Sequence, residues 1–343
     1  MARPKRTTFS RLDYCQYLLV GQTNYTLTNY AEHVDSISHD MVNRYLRDSK
    51  LTPSMVWEQT REHLIADTHG YILFDDTVID KNYSRHIEGV RSQYSGNAHQ
   101  VIRGMGMVNC LYVNPTTEQF WIIDFRLFDP ERDGKTKMDH VREMLSNVHH
   151  HKALLYKTVL VDSWYASHSM MLFIHNLGKL FYCPVKSNRL ARDADSTEHY
   201  AHVSKLTLTD EEQKTGKPIR LKNMPASIPM KLFRVFVSTN RTDNVVTNDP
   251  AQHCADDTRK VCAIRWLIEQ FHRELKQNTG VDACQCRKQR IQRNHITCAV
   301  LVWVRMKDIA YQTKMSIYEM KKGLLRNYLI EQLKNPDIKM SFA

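Results

Sequence analysis

Four acids hold the chemistry this sequence could do. Asp75 and Asp76 end the apolar run Tyr71-Ile-Leu-Phe, and Asp162 ends the run Thr158-Val-Leu-Val. Glu269 lies within Arg265-Trp-Leu-Ile-Glu269-Gln-Phe-His-Arg273-Glu274-Leu-Lys276. Carboxylate oxygens are hard donors that suit Mg²⁺, which keeps several of its waters and needs only a few protein ligands. Successive residues of a strand face opposite sides, so at most one of Asp75 and Asp76 can share a site with Asp162. Taken singly, each feature also has a plain structural role. Asp162 can cap a helix that starts after Ser163, and Arg265 with Glu269 can be an i, i+4 pair on a solvated face.

The elements around these residues follow from periodicity. Ile264, Ile268, Phe271 and Leu275 keep helical spacing over 258–278 and form one packing stripe, with Arg265, Glu269 and Lys276 on its flank. Asp256, Asp257 and Thr258 are N-cap candidates, and Gly280 is the expected C′ residue. Upstream, 71–77 reads as a strand, and 101–114 and 119–127 as a hairpin through Pro115-Thr-Thr. A helix over 138–148, a strand over 158–162, a helix over 167–176 and a strand over 179–185 come next. Antiparallel strands followed by alternating helix and strand are the order of a ribonuclease H-like α/β domain. Residues 186–253 hold scattered strand-like pieces, 202–208, 219–221 and 232–239, in a stretch too long for a plain loop.

The N-terminal segment differs in kind. Arg3, Lys5, Arg6 and Arg11 occur with no acid among the first eleven residues, either as a solubilising tail or as an arm along DNA. Residues 27–34, 35–37 and 38–46 read as helix, turn and helix, with Ser38 as cap. Met41, Val42, Tyr45 and Leu46 point inward, and His39, Asn43, Arg44 and Arg47 are left to meet DNA as a helix-turn-helix does. The alternative is an ordinary αα-hairpin. Beyond the Glu269 helix, Arg287, Lys288, Arg290 and Arg293 form a basic cluster read as a phosphate-binding surface, and 296–310 is an apolar helix.

Composition permits this reading without proving it. The 343 residues carry a formal net charge of +11 and 42% apolar content, enough for a sizeable core and a polyanionic partner. Eight cysteines, no signal-peptide run and no membrane-length apolar stretch fit a reduced cytoplasmic protein without disulfides or membrane association. Cys284 and Cys286 lack a second close Cys/His pair for a zinc site, and His149-His150-His151 reads as a polar helix end.

The spacing R-(3)-E-(6)-K at Arg265, Glu269 and Lys276 resembles the last motif, Y-(2)-R-(3)-E-(6)-K, of a branch of DDE transposases from bacterial insertion sequences. Cys262 stands where that motif has Tyr. Asp76-Thr77 and Val161-Asp-Ser-Trp-Tyr165 resemble the first and second motifs, and the resemblance spans about 71–293. It implies that Asp76, Asp162 and Glu269 are the catalytic, metal-binding acids. They would hold Mg²⁺, two ions with DNA bound and Mn²⁺ able to substitute. It also implies that Arg265 and Lys276 touch DNA phosphates, to which the charge cluster adds Arg273, Arg287 and Lys288 and the helix-turn-helix pattern adds Arg44 and Arg47.

The expected layout is a helical DNA-binding domain over 1–67 and a ribonuclease H-like catalytic domain over 68–185 and 254–310. A β-rich insertion occupies 186–253, and a helical tail follows over 311–343. The insertion has no Trp, so a hairpin-forming route is unsupported. The implied activity is cleavage of double-stranded DNA at the element's terminal inverted repeats and 3′-OH strand transfer by a self-associated complex in the bacterial cytoplasm, on the nucleoid when bound to DNA. The alternative is an inactive or domesticated DNA-binding regulator of the same fold.

Overall fold

Polar caps and apolar runs set the element boundaries in the computed structural model, which describes residues 9–83, 86–96, 98–197, 199–238, 241–335 and 337–338. Arg3, Lys5 and Arg6 of the basic arm, and Thr239, lie outside the described residues. Arg11 opens the first helix. In chain order come α1 (Arg11–Val20), α2 (Leu27–Glu32), α3 (His39–Asp48), α4 (Pro53–Thr60), β1 (Tyr71–Asp80), β2 (Arg91–Ser95), β3 (Gln100–Val113) and β4 (Phe120–Phe128). Then follow α5 (Pro130–Asp133), α6 (Lys137–His150), β5 (Thr158–Val161), α7 (His168–Asn176), β6 (Leu180–Val185), β7 (Leu190–Asp193) and β8 (Ala201–His202). The chain continues through α8 (Asp210–Thr215), β9 (Lys217–Leu221), β10 (Met230–Ser238), β11 (Arg241–Thr247), α9 (Ala255–Ile264), α10 (Trp266–Asn278), α11 (Gln289–Thr313), α12 (Ile317–Gly323) and α13 (Arg326–Lys334).

These elements form two compact units, Met1–His63 with Val78–Met105 and Phe271–Ala343, and Leu64–Thr77 with Gly106–Gln270. The division does not follow the boundaries expected at 67, 185, 253 and 310. In the second unit β1 pairs parallel with β5, and β5 parallel with β6. β5 is buried along its whole length, as a parallel strand covered on both faces must be, and its Thr-Val-Leu-Val sequence reflects that. The β3–β4 hairpin is antiparallel, and β11 pairs antiparallel with β6. The segment 186–253 thus continues the sheet through β11, β10, β9, β7 and β8. Its second hairpin strand, β11, was not legible in the sequence. α6 opens on a reciprocal Thr136–Asp139 capping box and packs on β4 and α7, while α9 packs on β6 and β10.

The first unit is organised on α11, whose 25 residues include a long buried row from Ile291 to Ala310. α1, α3 and α4 all pack on it. The N-terminal helices, expected as a domain over 1–67, thus share one compact unit with α11. Polar groups fix the contact. The Tyr14 hydroxyl lies 2.8 Å from His295 Nδ1, and His295 Nε2 lies 3.0 Å from the Gly280 carbonyl oxygen. A carbonyl only accepts, so Nε2 carries the proton, and Tyr14 donates to Nδ1. Burial pushes the His295 pKa down to about 3, which keeps the ring neutral. Gly280 has φ +66°, and a Cβ there would stand 2.6 Å from the Tyr25 ring; the expected glycine is required by both conformation and space. Among the described residues no helix is long and apolar enough to cross a membrane.

The helix expected over 258–278 is broken. α9 ends at Ile264 and α10 starts at Trp266. At the junction the Arg265 N–H donates to the Cys262 carbonyl and the Ile268 N–H to the Arg265 carbonyl, a three-residue spacing that tightens the turn. The N-cap is Cys254, and Asp256 and Asp257 fall in the first turn.

Two measurements test the anchoring on the first unit. Tyr14→Phe leaves His295 without its donor and should lower stability by about 1–3 kcal/mol in chemical denaturation. Lys321 donates to the Leu18 and Leu19 carbonyls at 3.3 and 2.7 Å, and burial lowers its pKa to about 8. Between that value and its ordinary 10.5 the unfolded chain binds more protons, so the residue makes stability rise with pH across that window, by roughly 3 kcal/mol in all. Comparison of Lys321→Met with the wild-type protein between pH 7 and 10.5 should show that this rise is gone from the variant.

Candidate catalytic site

The acids meet midway along β1, just past its stretch paired with β5, and at the carboxyl end of β5. Phe74 stands opposite Val161 in the parallel register, so the next residues, Asp75 and Asp162, are neighbours that project from one face of the sheet. Asp76 projects from the other. Its carboxylate receives the Tyr165 hydroxyl at 2.6 Å and Lys137 Nζ at 2.6 Å. That ammonium in turn lies 5.4 Å from the Phe128 ring centre and 5.9 Å from that of Trp164.

Asp75 is in a different electrostatic setting. Burial, then the charges of Asp162, Glu269 and Asp76, push its pKa well above the ordinary carboxylate value, and only the Asp76 N–H, donating at 2.8 Å, opposes them. A carboxylate oxygen of Asp75 and one of Glu269 lie within 4.8 Å of each other. Asp162 also has a raised pKa, first from burial, against which the Tyr165 and Trp164 N–H groups and Arg265 act. Those N–H groups donate to one oxygen, Oδ1, at 3.1 and 2.9 Å. The capping role available to Asp162 in the sequence is thus real, but it closes a turn after β5, and α7 has its own N-cap, Ser167.

Asp162, Arg265 and Glu269 line one pocket of about 410 Å³, shared with Lys186, Asn244 and Trp266. Arg265 is almost fully buried, with its guanidinium 5.0 Å from the Trp266 ring centre. The tight turn at the α9–α10 junction is what places this side chain, since Arg265 is itself the junction residue. Cys262, at the position of the motif's Tyr, gives its carbonyl to that turn, and burial raises its thiol pKa to about 12. The donor set suits a hard divalent cation. Burial and the neighbouring carboxylates raise the proton affinity of Asp75 here, and a cation of that type would relieve the repulsion.

The remaining expected site residues belong to the first unit. Lys276, in the first unit, donates to the Val78 carbonyl at 2.8 Å. Arg273 is exposed on α10, and Arg44 and Arg47 are exposed on α3, with Arg47 paired to Asp48 at 2.8 Å. Arg287 and Lys288 are exposed before α11, and Lys288 pairs with Glu88 at 2.8 Å. Glu274 is buried and accepts from Trp303 Nε1 at 3.0 Å and Lys307 Nζ at 3.2 Å. Sequence reasoning weighed Asp75 against Asp76 and chose Asp76, and it gave no role to Tyr165 or Lys137. That choice depends on the β1–β5 register, which motif spacing does not encode; the other two reach Asp76 from distant parts of the chain.

No curated protein sequence matches the chain. Among solved structures, a piggyBac transposase synaptic complex with hairpin DNA, determined by cryo-EM, is similar with a TM-score of 0.47 at 8% identity, covering 98% of this chain and 77% of that one. A family model, the transposase DDE domain, matches residues 66–305. That match takes in β1, β5 and α10 with all the acids described above and spans well over half of the sequence, so the chain belongs to the DDE-domain transposase family.

Proposed function

We propose that this transposase is a metal-dependent DNA strand transferase, in which a ribonuclease H-like core with the β-rich insertion 186–253 cuts the element's terminal inverted repeats. The observation that carries this reading is the grouping of Asp75, Asp162 and Glu269, in which Asp75 takes the place expected of Asp76. These three carboxylates would hold Mg²⁺, two ions with DNA bound, or Mn²⁺ in its place. Such cations, when bound, make a water nucleophilic and neutralise the leaving oxygen of a phosphodiester.

The chain's own residues supply positioning. The Trp164 and Tyr165 N–H groups fix Asp162 by one oxygen, which leaves the second to face a ligand. Arg265, held in the pocket by the tight turn, offers a guanidinium to a phosphate oxygen next to the scissile bond. Lys137 and Tyr165 hold Asp76 and so fix the middle of β1 from its other face. Water breaks the 3′ O–P bond at the element end, and the freed 3′-hydroxyl oxygen then attacks a target phosphodiester and releases the target's own 3′-hydroxyl. The DNA partner is duplex, at the element end and at the target, and the reaction joins two ends through self-association of the protein. Arg273, Lys276, Arg287, Lys288, Arg44 and Arg47 would serve the phosphate backbone, with α2 and α3 as the helix-turn-helix.

The test is cleavage of end-labelled element DNA by purified protein with Mg²⁺. Asp75→Asn, Asp162→Asn and Glu269→Gln should each cut more slowly by orders of magnitude and still bind the ends. Asp76→Asn keeps a hydrogen-bond partner for Tyr165 and loses the pair with Lys137, so cleavage should fall by only about tenfold. The reverse order for Asp75 and Asp76 would return the role to Asp76. Glu274→Gln should lower the melting temperature, because it removes the charge from a buried pair with Lys307, while the folded fraction continues to cut.

A further inference from the structure

α1 meets α11 through two neighbouring polar contacts. One is the hydrogen bond between Tyr14 and His295. The other joins the next residue of α1, Cys15, to Cys298, which lies one turn beyond His295 on the same side of α11. The Cys15 thiol donates to the Cys298 carbonyl oxygen at 3.8 Å, and the two thiols are within hydrogen-bond reach of each other. Both thiols are free in the structure. The helices are fixed at this point by their packing and by the 2.8 Å contact of Tyr14 with His295, so the sulfur atoms do not depend on mobile side chains to meet.

The two sulfurs differ in the way a redox pair requires. Cys15 is half-buried, whereas Cys298 is fully buried. The hydrogen bond with Cys298 lowers the Cys15 thiol pKa, burial opposes it, and the charge of Arg11, one turn earlier on α1, lowers it further. Arg11 also reaches Met55 Sδ on α4 at 3.7 Å. The Cys298 thiol is pushed well up by the same hydrogen bond and by burial. A thiolate with access to water attacks oxidants, and a protonated thiol packed against it resolves the product. Cys284 and Cys286 show the reverse order, because the lowered thiol, Cys284, is buried and the more accessible Cys286 is raised. Cys110, Cys183 and Cys262 are raised by burial. Among the described residues, Cys15 is the thiol that combines solvent access with a lowered pKa.

We propose that Cys15 and Cys298 form a reversible oxidation site, at which a hydroperoxide converts the thiol pair into a disulfide that ties α1 covalently to α11. The Cys15 thiolate sulfur attacks one peroxide oxygen and the O–O bond breaks, which leaves a sulfenic acid on Cys15 and hydroxide or alkoxide. The Cys298 sulfur then attacks the Cys15 sulfur; the S–S bond forms, the S–O bond breaks, and the Cys298 proton leaves with the departing hydroxide as water. The two thiols lose two electrons and the peroxide gains them. A small thiol reverses the step by exchange, with two of its molecules joined as the oxidised product. The new bond links residues 283 positions apart, so it restricts the unfolded chain strongly and favours the folded unit. The site is independent of the DNA reaction.

The experiment treats the full chain, reduced and then freed of reductant, with hydrogen peroxide, blocks the remaining thiols by alkylation and digests with trypsin. Mass spectrometry should find the peptide that begins at Leu12 joined to the one that begins at Asn294, and dithiothreitol should separate them. Cys284 and Cys286 fall together on a different peptide, so the two pairs are told apart. The joined protein should melt about 5 °C above the reduced protein. Cys15→Ser should abolish the product, and Cys298→Ala should stop at a Cys15 sulfenic acid that a cyclic diketone traps. Arg11→Ala should slow alkylation of Cys15 at fixed pH by about threefold. A Cys284–Cys286 link as the only product, a Cys15 that oxidises without joining Cys298, or equal melting of joined and reduced protein would overturn the assignment. The peptide map of the unsubstituted chain decides the matter even if Cys298→Ala fails to fold.

Discussion

Like charges midway along one parallel strand and at the end of its neighbour are the constraint on which the catalytic unit depends. Asp75 and Asp162 are adjacent in register, with Glu269 close to the first. Burial raises the pKa values of both Asp75 and Asp162, and for Asp75 the charges of Asp162, Glu269 and Asp76 add to it. A fold can keep such a group together only if other contacts fix the backbone. Here the fully buried Val159, Leu160 and Val161 of β5, paired to Ile72, Leu73 and Phe74, do so.

The two consecutive acids of β1 show how one backbone step separates two roles. Asp75 faces other carboxylates, whereas Asp76 faces a cation and a phenol. Tyr165 joins the two sides, because its N–H holds Asp162 while its hydroxyl holds Asp76. The turn after β5 and the middle of β1 are thus tied through one residue. Loss of that tie would let both carboxylate-bearing segments relax apart under their own repulsion, which makes the Lys137–Asp76–Tyr165 group a support of the site rather than a decoration of it.

Much of this was legible because the decisive patterns are local. The order β1, β3, β4, α6, β5, α7, β6 followed from periodicity and turn residues, and the family followed from three motifs in sequence. What escaped depends on pairing at a distance. Asp75 and Asp76 have the same neighbours in sequence, and only the alignment of β1 against β5 decides which one stands beside Asp162. The break at Arg265 was hidden because Ile264 and Ile268 keep helical spacing across it, and a tight turn of one residue barely disturbs that period. The joining of the N-terminal helices to α11 rests on His295 and Asn294, polar residues in an apolar helix whose partners lie more than two hundred positions away.

Those buried polar residues explain why the first unit is built as it is. α11 encloses Gln292, Asn294, His295 and Lys307, groups that would cost stability in a core unless their hydrogen bonds were met. Gln292 meets the Cys284 and Cys286 carbonyls, Asn294 the end of α3, His295 the turn after α10, and Lys307 the carboxylate of Glu274. An apolar face of the same area would bind these segments with less regard for register, because hydrophobic burial is not directional. Amides and an imidazole accept only one alignment. The exposed arginines of α3 and of the turn before α11 sit a few residues from these anchors, so their spacing is inherited from buried hydrogen bonds rather than from the flexible side chains themselves.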